Sequence, residues 1–149
     1  MLYTGVDIIE IERIERALGR WGARFSARVF TPAERAESGD RLRSLAARWA
    51  AKEAAAKALG IGIAGIGAST TVGVTVAARW HELEVRRPPA ERPRLLLHGA
   101  AAERAAALGW TSVALSITHG RDYAVAFVVA QAEPAPLAAQ SAALLGDVD

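Results

Sequence analysis

The stretch from about residue 41 to 59 reads as one long helix stopped by Gly60, a suitable C-terminal cap, and the rest of the fold has to accommodate it. Its second half, Arg48 to Gly60 (RWAAKEAAAKALG), holds both lysines of the chain, Lys52 and Lys57. The other sixteen cationic side chains are arginine. Where positive charge is otherwise written as arginine, two lysines in one helix point to positions that want a compact ammonium on a flexible stem. Such a group suits phosphate or proton-transfer work better than a planar fork. Helical spacing puts Trp49, Glu53 and Lys57 on one face and Arg48 and Lys52 on a stripe beside it. The same pattern also fits a solvated face carrying one Glu53–Lys57 pair, worth about a few tenths of a kcal/mol.

Leu2 to Ile11 (LYTGVDIIEI) is an apolar, β-branched run that reads as a buried strand, with Asp7 in its middle. A buried carboxylate is costly unless paired or bound to a cation. Asp7 therefore ends the strand in water, pairs with an arginine, or meets the helix glutamate at a hard cation such as magnesium. Ala114 to Val129 reads as a β-hairpin with His119, Gly120, Arg121 and Asp122 at the break, which sets His119 at the tip. His81 and His98 carry less signal, and no His/Cys cluster has zinc spacing.

Five segments occur together in order: GVDIIEIERI (Gly5–Ile14), FTPAE (Phe30–Glu34), RWAAKEAAAKALG (Arg48–Gly60), a Trp80-led HELEV strand, and SITHGRDYA (Ser116–Ala124). In that order they resemble the holo-acyl-carrier-protein synthase type of 4′-phosphopantetheinyl transferase, over most of residues 1 to about 130.

The resemblance implies a single-lobe α+β fold in which an antiparallel sheet packs with a long helix. It also implies transfer of 4′-phosphopantetheine from coenzyme A to a serine hydroxyl of an acyl carrier protein, leaving adenosine 3′,5′-bisphosphate. By it Asp7 and Glu53 correspond to magnesium ligands and Lys57 to the catalytic lysine. Glu53, directly or through a water on the metal, is the first candidate for the base that takes the serine proton, with Lys57 the second. Phosphoryl transfer asks mainly for positioning and charge neutralisation, which agrees with these residue types. Arg48, Thr118 and His119 match positions near the adenosine 3′-phosphate. Lys57 is expected to be the sensitive lysine and Lys52 to matter less.

The chain departs from the family pattern in two places. Gly60-Ile61-Gly62, followed by Gly65 and Gly67, stands where Gly-Thr-Gly is usual, and this loop, through Gly60 and Gly62, is still expected to offer backbone N–H groups to coenzyme A phosphates. Glu91-Arg92-Pro93 replaces the usual Gly-x-Pro.

At 149 residues and 52% hydrophobic content the chain suits one domain, assigned to residues 1–130, with an Ala/Pro-rich and acidic tail at 131–149. The absence of cysteine fits a reducing cytoplasm, and neither a signal segment nor a membrane-length apolar run is seen, so a cytoplasmic location is expected. The expected order is a strand at 2–10, helices at 11–20 and near 23–29, and a helix opened by the Thr31-Pro32-Ala33-Glu34 capping box. The long helix follows, then strands near 69–77, 80–86 and 94–98, a helix at 99–108 and the hairpin.

The whole chain is +2 and the tail contributes −3, so the body carries +5. Arg13, Arg16, Arg20, Arg24 and Arg28 recur at three- or four-residue intervals as a basic stripe that attracts anionic partners. Arg13, Arg20 and Arg24 match family positions that dock the acidic carrier. The competing readings are a nucleic-acid-binding stripe and a non-catalytic carrier-binding module. Interleaved Glu10, Glu12 and Glu15 argue against the first, and the presence of Asp7, Glu53 and Lys57 argues against the second. The resemblance further implies a homotrimer, since a chain this short holds one lobe and must borrow the second wall of its site from another copy.

Overall fold

A computed structural model describes residues 1–39, 41–63 and 77–133. In chain order these form β1 (Leu2–Glu10), α1 (Ile11–Val29), α2 (Pro32–Ser38), α3 (Leu42–Leu59), β2 (Gly62–Ile63), β3 (Ala77–Ala78), a 3-10 turn (Trp80–Glu82), β4 (Leu83–Arg86), β5 (Arg94–Leu97), α4 (Gly99–Ala107), β6 (Trp110–His119) and β7 (Tyr123–Ala132). Gly65, Gly67, most of the strand expected near 69–77 and residues 134–149 of the expected tail lie outside the described residues.

The main sheet is antiparallel in the order β1-β7-β6, with β7 central. Asp7 and Ile117 both pair with Ala126, and Ile9 and His119 both pair with Ala124, so the two pairs of residues make successive rows across the sheet. β7 continues two residues past the expected domain boundary, pairing Gln131 with Leu2.

α3 lies across β1 and β7, and its sequence shows why. It is buried almost all round, chiefly through alanines: Ala46, Ala47, Ala50, Ala51, Ala54, Ala55, Ala56 and Ala58. The facing positions of β7 are Ala124, Ala126, Val128 and Ala130. Small residues on both sides let helix and sheet approach closely. At Gly5 the approach is so tight that an added Cβ would overlap the Ala54 carbonyl oxygen and lie 2.8 Å from the Ala58 nitrogen. Glycine there is a demand of packing. Gly60 ends α3 in the left-handed conformation, as its position predicts.

Two differences from the expected order have clear causes. The helices expected at 11–20 and 23–29 form one element broken at Gly22 (φ 53, ψ −132), a conformation that glycine adopts readily. Arg24 and Arg28 therefore do not continue the stripe of Arg13, Arg16 and Arg20 in helical register. The strand expected at 80–86 begins as a 3-10 turn, because Glu82 turns back to accept a hydrogen bond from Arg79 N at 2.8 Å. The Thr31 capping box forms as expected, with Glu34 N donating to Thr31 Oγ1 and Thr31 N to Glu34 Oε2.

Candidate active site

The strand expected to be buried is buried on one face only: alternation puts Tyr3, Gly5, Asp7 and Ile9 on the face of β1 that meets α3 and leaves Leu2, Val6 and Ile8 exposed on the other. The close crossing at Gly5 brings Asp7 against the last turns of the helix. Lys57 Nζ donates to Asp7 Oδ1 at 2.8 Å and to the Val6 carbonyl at 3.0 Å. Lys57 is half exposed and Asp7 mostly shielded, so the pair stands at the rim of the crossing. The ammonium thus pairs across to the strand, and the solvated Glu53–Lys57 pair of the plainer reading is not the ion pair that forms.

Glu53, one turn before Lys57, is partly buried. Burial pushes its carboxyl above the ordinary glutamate value and the Asp7 charge adds to this, while Lys57 and Arg13 pull the other way. No hydrogen bond contributes to offsetting the burial. Two carboxylates close enough to repel, one of them poorly compensated, form a donor set of hard oxygens. Magnesium is commonly held in this way, by one or two carboxylates with water and substrate phosphates completing the shell. Among the described residues no group of three or more His, Cys, Asp or Glu is assembled for a metal, so a full protein cage is not offered.

Arg48 lies on the adjoining stripe of α3 and is almost fully buried. Its guanidinium donates to Ser44 Oγ at 2.6 Å and to Glu37 Oε2 at 3.1 Å, and its Nε is buried without a partner. It lines an open cleft of about 1730 Å³ between α1, α2, α3, the β4–β5 turn and the hairpin tip, together with Arg41, Arg43, Arg87, His119 and Arg121. Acidic side chains, among them Glu10, Glu12 and Asp122, line the same cleft.

The sequence-predicted residues fall into separate groups. Asp7, Glu53 and Lys57 come together. Arg48 and His119 share the cleft, with His119 one same-face row beyond Asp7. Thr118 points to the opposite face of the sheet, beside Val125, and does not join them. Gly60 is occupied as the helix cap, and exposed Gly62 pairs with Ala77 in β2–β3. Arg13 acts on the charge of Glu53, Arg20 stacks over Trp21 with 5.0 Å to the ring centroid, and Arg24 is exposed beyond the Gly22 break.

Lys52 has a structural role that the sequence did not indicate. It is fully buried, donating to Glu34 Oε2 at 2.9 Å and to the Trp80 carbonyl at 2.8 Å, while Val85 N donates to Glu34 Oε1 at 2.7 Å. This lysine ties α3 to α2 and to the turn at Trp80, and Glu34 carries the link on to β4. Sequence reasoning also missed Glu37, whose carboxylate holds Arg48. The capping box located Glu34 without indicating that the same carboxylate reaches Lys52.

The sequence model of the 4′-phosphopantetheinyl transferase superfamily matches residues 3–128. A holo-[acyl-carrier-protein] synthase of Herpetosiphon aurantiacus is 53% identical over 129 residues, covering 87% of this chain and 98% of the relative. Among solved structures, the coenzyme A complex of the synthase from Chronobacterium ammoniagenes superposes with a TM-score of 0.72 at 32% identity, over 90% of this chain and 99% of that one. The coenzyme A complex of the Helicobacter pylori synthase gives 0.68 at 28% identity, over 86% and 99%. A strand aspartate delivered to a helix lysine by a glycine-tight crossing, within a fold and a sequence shared over nearly the whole of these relatives, places the chain in the 4′-phosphopantetheinyl transferase superfamily, to which it belongs.

Proposed function

We infer that this chain is a holo-[acyl-carrier-protein] synthase working at the Asp7–Glu53–Lys57 cluster. It transfers 4′-phosphopantetheine from coenzyme A to a serine hydroxyl of an acyl carrier protein, giving the holo carrier and adenosine 3′,5′-bisphosphate. The observation that carries the assignment to this cluster is the meeting of Lys57 with Asp7 beside a poorly compensated Glu53.

In the transfer the serine oxygen forms a bond to the phosphorus that carries phosphopantetheine, and the bond from that phosphorus to the adenosine bisphosphate oxygen breaks. Glu53 is the group assigned to take the serine proton, a carboxylate beside Asp7 and Lys57 that no hydrogen bond engages. Lys57, an ammonium held toward Asp7 and the Val6 carbonyl, offsets charge gathering on the pyrophosphate oxygens. Asp7 and Glu53 would hold a magnesium ion, which when bound neutralises pyrophosphate charge. Arg48 and His119, which line one cleft together with Arg41, Arg43, Arg87 and Arg121, are assigned to receive the adenosine phosphates.

The active unit is read as a homotrimer. The sheet face away from α3 carries Leu2, Val6, Ile8 and Phe127, all large, apolar and exposed, with Val6 paired directly to Phe127. Such a face is costly in water and fits burial against another copy. Thr118 lies on this face, which supports its acting toward a neighbour's site. Arg13, Arg20 and Arg24 on α1 are assigned to the acidic carrier. A cytoplasmic location is proposed from the cysteine-free sequence, and no helix of the described residues is long and apolar enough to cross a membrane. The nucleic-acid reading is disfavoured by Glu10, Glu12 and Glu15, which interleave with the arginines.

The test is to incubate the protein with coenzyme A, magnesium and an unmodified carrier and read the carrier's intact mass. A gain of one phosphopantetheine is expected. An unmodified carrier would contradict the assignment, and carrier binding without the gain would favour the non-catalytic module.

A further inference from the structure

Glu37 stands near the C-terminal end of α2, outside the five matched segments, and is the most heavily engaged carboxylate at the cleft. Its Oε1 accepts from Arg86 Nε at 2.7 Å, and its Oε2 accepts from Arg87 N at 2.8 Å and from Arg48 Nη2 at 3.1 Å. The side chain is 13% exposed. Burial alone would push its carboxyl up, but the Arg87 amide and the Arg86 and Arg48 guanidinium groups outweigh that and hold it below the ordinary glutamate value.

The three donors come from two walls of the cleft. Arg48 belongs to α3, and Arg86 and Arg87 lead into the β4–β5 turn, where Pro88, Pro89, Ala90 and Glu91 line the same cleft. Ala90 holds φ 63 in that turn, a conformation costly for a non-glycine residue and kept only where its surroundings fix it. Arg48, almost wholly buried and with its Nε unpartnered, has few other groups to fix it: Ser44 and the Glu37 carboxylate. Three charge-assisted or buried bonds converging on one carboxylate therefore set the guanidinium and the turn relative to one another.

We propose that Glu37 is a positioning residue for coenzyme A binding, aligning the Arg48 guanidinium and the Arg87–Glu91 turn as one wall of the cleft. This rests on the reading that the cleft receives the adenosine phosphates. Glu37 bears the same charge as those phosphates, so it acts through Arg48 and the turn rather than by touching the ligand.

The experiment is a double-mutant cycle on the full chain: wild type, Glu37→Gln, Arg48→Ala and the double variant, with coenzyme A affinity measured by calorimetry and steady-state transfer measured alongside. Glu37→Gln should weaken coenzyme A binding about tenfold, the scale of one lost bond to a charged group, and raise the coenzyme A KM while leaving the carrier KM nearly unchanged. In the Arg48→Ala background it should cost little more. Wild-type affinity in Glu37→Gln beside weak binding in Arg48→Ala would overturn the proposal and leave the cleft reading intact. Wild-type affinity in Arg48→Ala would overturn both. An equal loss from Glu37→Gln in both backgrounds would show action through the fold at large and overturn the positioning role. Should Glu37→Gln fail to fold, Glu37→Asp, which keeps the charge but is one methylene short, makes the same comparison, with an intermediate loss expected and wild-type affinity contradicting the proposal.

Discussion

Lys52 Nζ lies 2.9 Å from Glu34 Oε2, and neither side chain is reached by solvent. Removing one partner of such a pair strands the other in a low-dielectric site, at a cost of about 3–5 kcal/mol. Lys52→Met should therefore lower the unfolding free energy by about that amount. Lys52→Arg keeps the charge but adds bulk where Trp80 and Phe30 close the space, and should cost about 1–3 kcal/mol. Urea unfolding checks both. An unchanged midpoint for either variant would mean that the pair is not the clasp between α2, α3 and β4.

Glu53 should trade stability for chemistry. Its folded-state carboxyl lies above the ordinary glutamate value, so in metal-free protein the native state holds a proton that the unfolded chain has released. Between the ordinary value and the raised one, stability then falls as pH rises. Glu53→Gln removes that titration. Without magnesium it should be more stable than wild type at neutral pH, with the advantage fading as pH drops through the window, while transfer is lost. Thermal melts across pH test this; a variant less stable than wild type at pH 7 would contradict it.

Much of this arrangement was legible in the chain. The strand carrying Asp7, the Thr31 capping box, the Gly60 stop and the hairpin beside His119 are local patterns, and each formed where the residues put it, though the strand is buried on one face only. Asp7, Glu53 and Lys57 were gathered by family resemblance, and the physical means of bringing them together, the contact between Gly5 and the alanines of α3, is not written in either segment alone. The structural roles of Lys52 and Glu37 were missed because their partners, Glu34, Trp80, Arg86 and Arg87, are distant in sequence and no spacing rule connects them. The break at Gly22 shows the reverse limit: an arginine period that looks continuous is divided by one backbone conformation.

The exposed sheet face should be the contact between copies. Phe127→Glu places a charge opposite Val6 at its centre, and should convert an active assembly of three into monomers with little transfer activity while leaving the unfolding midpoint of the isolated lobe nearly unchanged. Light scattering at micromolar concentration reads the mass. A wild-type monomer with full activity, or an intact trimer in Phe127→Glu, would contradict this contact.

The central claim is that Asp7, Glu53 and Lys57 form the transfer centre, and single-turnover transfer to an unmodified carrier under saturating magnesium tests it most directly. Asp7→Asn and Glu53→Gln should each slow phosphopantetheine transfer by roughly a hundredfold or more, the scale expected for a positioned base or an electrostatic group in a transition state. Lys57→Arg should also lose most of its rate, because a rigid fork cannot set its charge where one ammonium meets Asp7 and the Val6 carbonyl. All three variants should keep the wild-type circular dichroism spectrum. Near wild-type transfer in Asp7→Asn or Glu53→Gln, with the fold intact, would contradict the account.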